Sequence, residues 1–261
     1  MPQPQHITAA LAIDALAMDA RDAFDVAAVN GYRGIAFATN HAELKPEALG
    51  ESARRHVAKI LESKSLSLDS IRIAVPRGGL ADAATIDRTI DNALKAITLA
   101  EQMHVTTVSL HAGPLGESTS SIESAVRELA NQAERRGIML ALSADTAAPL
   151  AKLLAAVAAT RARPHLDTAR VIAAGDDPAK IAEQFASGKL PIAQLTARDA
   201  IRVGSTVRSV ELGQGQLALS DLLAALREQE FRGPIVVDPR DLPDAADAAA
   251  HAAAILRPLL S

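Results

Sequence analysis

Eight times along this chain a short apolar run is followed by a longer segment whose apolar residues recur at three- and four-residue spacing, and that alternation constrains the fold more than anything else in the sequence. The short runs, read as strands, are Ile7 to Ile13, Gly34 to Thr39, Ser70 to Val75, Thr106 to His111, Ile138 to Ser143, Pro164 to Asp167, Ile192 to Thr196 and Pro234 to Asp238. The longer segments, read as helices, are Asp19 to Asn30, Lys45 to Ser63, Ala83 to Met103, Ser121 to Arg136, Ala147 to Thr160, Asp177 to Ala186, Ser220 to Gln229 and Pro243 to Leu259. Local chemistry marks several ends: Ser220 suits an N-cap, and Gly137 and Gly233 suit helix C-terminal caps. Strict strand-then-helix order implies parallel strands joined by right-handed crossovers, and eight such units close a ring. The expected fold is therefore a single (β/α)8 barrel spanning residues 1–261. An open doubly wound sheet is the competitor, but it is expected to carry a glycine-rich turn after its first strand, where Asp14-Ala15-Leu16 stands instead.

Composition agrees with one packed domain. The 261 residues are 49% hydrophobic and 22% charged, and no Ser/Gly/Pro-rich stretch marks a linker. With 4 Phe, 1 Tyr and no Trp, the core falls to Leu, Ile, Val and the abundant Ala, which favours helices. A net charge of -4 leaves no global basic footprint for nucleic acid or an anionic membrane. The absence of Cys removes disulfides, thiolate catalysis and Cys-ligated zinc. The apolar stretch Ile7 to Met18 is interrupted by Asp14, has no Lys or Arg ahead of it and is too short to span a bilayer, so the default expectation is a cytoplasmic protein.

In a closed parallel barrel the functional side chains come from the C-terminal ends of the strands and the loops after them. Those ends present Asn40, His41, Arg77, His111, Ser143, Asp145, Asp167, Arg170, Thr196, Arg198, Asp199, Asp238 and Arg240. Arg198 and Arg240 lie two residues beyond Thr196 and Asp238, so a strand period of two gives them the inward parity of those residues.

Val26 to Phe37, His111-Ala112-Gly113, Gly137 to Ser143, His165 to Thr168, Gly213-Gln214-Gly215 and Gly233 to Asp238 follow one another in an order and spacing that resemble the xylose isomerase-like TIM barrels. That superfamily includes sugar and sugar-phosphate isomerases, epimerases and the endonuclease IV group. The resemblance implies a divalent ion held by Glu, Asp, His and Glu on strands five to eight. The matching positions here are Ser143, Asp167, Thr196 and Asp238, so only Asp167 keeps the family residue. Ala36 stands where a strand-two Glu is expected, and Arg170 where a His often follows the strand-six Asp. Neutral hydroxyls are poor ligands for a hard divalent ion, so the expectation is no tight metal, with a weak Mg²⁺- or Mn²⁺-like site as the upper limit.

Against that loss stands a set of guanidinium groups, Arg77, Arg170, Arg198 and Arg240, with Arg202 in the following loop. Together with Ser143 and Thr196 they are expected to line a pocket for a small anion. Internal pairing with Asp145, Asp167, Asp199, Asp238 or Asp241 would equally account for them, and the two roles are compatible. Asp167, Asp238 and His111 are the expected catalytic set, His111 being the best remaining acid/base group. His165, one layer lower, reads as structural and as a tether for Asp167; His6, His41, His56, His104 and His251 read as solvated or packing residues. Gly213-Gln214-Gly215 and Arg77-Gly78-Gly79 suit tight turns more than phosphate cradles.

The resemblance, with these residues in those roles, implies an isomerase or epimerase acting on a small sugar, sugar phosphate or sugar acid. The competing expectation is a catalytically inactive descendant that binds a small ligand or a protein. An abasic-site endonuclease is disfavoured, because that chemistry needs a His-rich zinc site and a basic DNA-binding face. The Ala-rich last helix is an outer barrel helix that could also support a homodimer.

Overall fold

The computed structural model describes residues 7–76, 78–116 and 120–260. Eight strands form a closed parallel ring: β1 (Ala9–Ala12), β2 (Gly34–Ala38), β3 (Ser67–Arg72), β4 (Thr107–His111), β5 (Met139–Ser143), β6 (Ala162–Asp167), β7 (Gln194–Ala197) and β10 (Ile235–Val237). Closure is made by β1, which pairs with β10 on one side and β2 on the other. Around the ring run α1 (Ala20–Val29), α2 (Glu51–Ser63), α3 (Ile86–Gln102), α4 (Ser120–Arg135), α5 (Ala147–Val157), α6 (Thr168–Ala174), α7 (Pro178–Ser187), α8 (Leu219–Glu228) and α9 (Ala245–Leu260). The chain is thus a single (β/α)8 barrel. No helix among the described residues is long and apolar enough to cross a membrane.

Alternate strand residues point outward and inward, and the two sets have different jobs. Outward, Leu11, Ile35, Phe37, Val108, Leu140 and Leu195 are fully buried beneath the helices. The helices answer with small residues at three- and four-residue spacing, as in Ala93, Ala96, Ile97 and Ala100 of α3 and Ala248, Ala249, Ala252 and Ala253 of α9. Alanine brings helix and ring close, and the phenol of Tyr32 donates to the Ala249 carbonyl at 2.7 Å to pin the last helix. Inward, Ala10, Ala12, Ala36 and Val236 form a small cluster separate from the outer core. Barrel interiors are commonly filled by bulky branched side chains; the small ones here leave room, and a cavity of about 470 Å³ opens at the C-terminal end.

Several elements depart from the sequence expectation. Helix α2 begins at Glu51 rather than Lys45, because residues 41–50 form turns that bury Leu44 and Leu49 before Gly50 caps the helix. Strand β3 runs from Ser67 to Arg72 rather than from Ser70 to Val75, with a register shift against β2 that leaves Asp69 as the extra residue. Between β7 and α8 the chain adds an antiparallel hairpin, β8 (Asp199–Val203) and β9 (Thr206–Val210).

The glycine pairs are explained by contacts rather than by a phosphate. A Cβ on Gly113 would stand 1.9 Å from the Gly78 carbonyl oxygen, and one on Gly79 would stand 2.5 Å from that of His111, so these glycines let the loops after β3 and β4 touch. The amides of Gly213 and Gly215 donate to a carboxylate of the chain itself, Asp199 Oδ2, at 3.0 and 2.9 Å. Asp199 also accepts from Ala200 and Leu217 N–H through Oδ1, which makes it the hub of the hairpin's base and not an arginine partner.

Candidate functional site

The ends of β2 to β7 and of β10, with the loops after them, contribute to one cavity. Its lining includes His111, Ser143, Asp167, Thr196, Asp238, Arg170, Arg198 and Arg240, so eight of the nine residues singled out from the sequence come together. The ninth, Arg77, lies outside the described residues. Arg202 does not join the others; it sits on β8 beside Gly175 and Asp176, lining a different cavity.

The registers place these side chains. Asp167 and Thr196 are partners across β6 and β7, and His111 and Ser143 across β4 and β5, so each pair shares the inward face. The parity argument for Arg198 and Arg240 holds: both line the cavity although pairing of β7 and β10 ends just before them. Arg198 is fixed at its backbone, where its N–H donates to the Thr168 hydroxyl at 2.9 Å. Asp167 caps α6 through Arg170 N–H, which turns the Arg170 side chain over the mouth.

Two residues escaped the sequence reading. Arg72 ends β3 and faces the cavity, and its guanidinium pairs with Asp14 in the turn after β1. Strand parity would have found Arg72 had β3 been ended there. Asp14 enters the sequence reading as a non-glycine turn residue and as the charge that interrupts an apolar stretch, not as a site residue, although a buried carboxylate at a strand end needs a cation.

The charges form two alternating chains. In one, Arg72 pairs with Asp14, Asp14 lies 3.4 Å from Arg240, and Arg240 grips Asp238 Oδ2 through Nε at 2.6 Å and Nη2 at 2.5 Å. In the other, Arg198 spans Asp241 at 2.8 Å and Asp167 at 4.0 Å, and Arg170 spans Asp167 at 3.6 Å and Asp145 at 3.1 Å. His111 continues this second chain, with Nε2 3.2 Å from Asp145 Oδ1 and Nδ1 3.2 Å from the Ser143 hydroxyl. The internal pairing expected from the sequence is therefore real for Asp145, Asp167, Asp238 and Asp241.

Burial alone would raise the Asp167 carboxyl, but Arg198 and Arg170 outweigh it and hold the group below its ordinary value. Burial likewise opposes the charge on Arg240, and Asp238 with Asp14 overcomes it, so this guanidinium is held still more firmly protonated. Burial, then Arg170, lowers His111 despite Asp145, favouring the neutral imidazole. His165, also in the cavity wall, is lowered by burial to about 4. Its Nε2 meets the Thr196 hydroxyl at 2.7 Å, so it braces Thr196 and not Asp167 as expected. Its Nδ1, the Ser109 hydroxyl and the Ser70 hydroxyl are buried without a protein partner.

The divalent ion that the family resemblance implies does not suit this donor set. Ser143 and Thr196 offer neutral hydroxyls, and Asp167 and Asp238 already face guanidinium groups. Among the described residues no three His, Asp or Glu side chains are grouped to hold an ion.

A family model described as xylose isomerase-like TIM barrel matches residues 24–259. The chain belongs to that family. Among solved structures, this barrel superposes on a xylose isomerase domain protein from Planctomyces limnophilus with a TM-score of 0.83 at 18% identity, covering 97% of this chain and 96% of that one. A D-allulose 3-epimerase from Methylomonas sp. in complex with D-allulose gives 0.73 at 20% identity, with 98% of each chain covered. A probable 3-DHS dehydratase from Bacillus anthracis gives 0.76 at 16% identity, covering 96% and 98%. No curated protein sequence matched the chain.

Proposed function

We propose that this family member is an isomerase or epimerase acting without a tightly bound metal on a small anionic sugar or sugar acid held at the C-terminal mouth. The observation that carries the reading is the convergence of Arg72, Arg170, Arg198 and Arg240 with a neutral histidine on one cavity. Isomerisation and epimerisation remove a proton from carbon next to a carbonyl and leave negative charge on oxygen. In a metal enzyme the cation stabilises that oxygen; here guanidinium groups are the available electrophiles. His111 is the base, since burial keeps its imidazole neutral and Asp145 beside Nε2 steadies the ring and would offset the charge it gains. Asp167 and Asp238, held in ion pairs, serve as weaker proton relays and as anchors for the arginines. Epimerases and a dehydratase among the similar structures support proton transfer at carbon as the chemistry.

The test is exchange of carbon-bound hydrogen in D₂O across a panel of aldoses, ketoses and their acids, with chelator present. The wild type exchanges hydrogen in at least one anionic member, and His111→Gln slows this by about a hundredfold or more. The second reading, an inactive binding module, is favoured by the ion pairs that occupy Asp167 and Asp238. It prevails if ligands bind and no member of the panel exchanges.

A further inference from the structure

The charge count of the mouth carries the functional reading one step further, to the kind of anion. Four guanidinium groups line the cavity among the described residues: Arg72, Arg170, Arg198 and Arg240. Three carboxylates, on Asp14, Asp167 and Asp238, are buried with them, their side chains 11, 12 and 6% exposed. His111 and His165 are held neutral by burial and so add nothing to the sum. The inner cluster is one positive charge in excess. At the rim Asp145 and Asp241, 47 and 69% exposed, pair with the outer nitrogens of Arg170 and Arg198; Asp145 balances that excess and Asp241 takes the mouth to one negative charge.

The two halves differ in what an incoming anion meets. Arg240 is clamped to Asp238 by two nitrogens, and both Arg72 and Arg240 face the buried Asp14, so that side is neutral and closed. Arg170 and Arg198 both approach the same oxygen of Asp167, at 3.6 and 4.0 Å, and reach outward to a solvated aspartate each. Solvated ion pairs are weak, roughly 0–1 kcal/mol, and their carboxylates can swing into water when a competitor arrives. A buried pair offers no such exchange.

We infer that the ligand enters as a monoanion whose carboxylate displaces Asp241, while Asp145 stays between Arg170 and His111, and bridges Arg198 and Arg170 above Asp167; the substrate class is a sugar monocarboxylate, not a sugar phosphate. This rests on the anionic-sugar reading above. One carboxylate replaces the single charge of Asp241 and presents two oxygens to two guanidinium groups. A phosphate monoester is close to dianionic at neutral pH, and its second charge would face Asp167 with no further guanidinium among the described residues to meet it.

The experiment measures binding by calorimetry, in phosphate-free buffer, for matched series of hexuronates and aldonates, the corresponding sugar phosphates and the neutral sugars. The wild type binds its best monocarboxylate at least tenfold more tightly than any sugar phosphate, and neutral sugars more weakly still. Asp241→Asn adds one positive charge at Arg198; Asn tolerates the left-handed backbone at φ 66° there, so the variant folds. It tightens both anion series and narrows the carboxylate preference by about tenfold. Arg198→Gln, whose backbone anchor to Thr168 is retained, loses carboxylate binding by tenfold or more. A wild type that prefers sugar phosphates, or an Asp241→Asn variant with unchanged preference, overturns the single-charge inference and leaves the anionic-sugar reading standing. Neutral sugars that bind as tightly as either anion, or no binding by any series, overturn both.

Discussion

At the scale of single residues, His165 shows what it costs to place a titratable group under the barrel cavity. Its imidazole is buried among Thr196, Asp167 and the ring of strands, and burial lowers it to about 4 from an ordinary 6.5. The unfolded chain therefore takes up a proton near pH 6.5 that the folded one refuses until about pH 4, so the unfolded state binds more protons between those values and stability falls as pH falls. That lowering corresponds to about 3 kcal/mol, complete near pH 4 and absent above pH 7. His111, lowered for the same reason, adds a contribution of the same sign. Urea denaturation of wild type and His165→Gln at pH 7.5 and 4.5 separates them: the variant loses markedly less stability over that interval. Equal losses would mean that His165 is solvated enough to protonate while folded. Charged residues at strand ends were legible from parity, which is why Arg198 and Arg240 were found. Parity needs the correct end of the strand, and ending β3 at Val75 hid Arg72.

Among the elements, the β8–β9 hairpin rests on one carboxylate. Asp199 accepts four backbone N–H groups, from Ala200, Gly213, Gly215 and Leu217, and is itself buried, so its desolvation is offset only by those bonds. Asp199→Ala leaves the amides of the loop unsatisfied and lowers stability by about 3 kcal/mol; Asp199→Asn keeps one acceptor and costs about half as much. Limited proteolysis locates the effect, since cleavage moves to residues 199–217 in Asp199→Ala while the barrel core stays protected. Unchanged stability in Asp199→Ala would show that the hairpin stands without its hub. The hairpin was invisible in the sequence because its strands are half exposed and polar, with no apolar run to announce them. Helix α6 was missed because seven residues hold too few turns for a period to register. The eight barrel strands were legible because both their faces are covered, which imposes continuous apolar runs.

For the molecule as a whole, the proposed metal-free site treats the four ligand positions implied by the family resemblance and the arginines around them as one exchange of charge. A divalent ion carries two positive charges; Arg198 beside Asp167 and Arg240 beside Asp238 supply the same two with covalently attached groups. Reinstating ligands alone does not reverse such an exchange, because a dication entering a mouth that already holds four guanidinium groups meets like charge at close range. Ser143→Glu with Thr196→His is accordingly expected to take up Mn²⁺ weakly. Adding Arg198→Gln and Arg240→Gln removes two positive charges and leaves Asp167 and Asp238 in need of a counter-ion, so the quadruple variant binds one Mn²⁺ per chain. Saturation at a hundred times the dissociation constant then raises its stability by about 2.7 kcal/mol, seen as a Mn²⁺-dependent rise in Tm that chelator reverses. Wild-type Tm is the same with chelator, Mg²⁺ or Mn²⁺. One tightly held Mn²⁺ per wild-type chain in equilibrium dialysis would defeat the exchange argument, since it would require a cation to coexist with the arginines taken here to replace it.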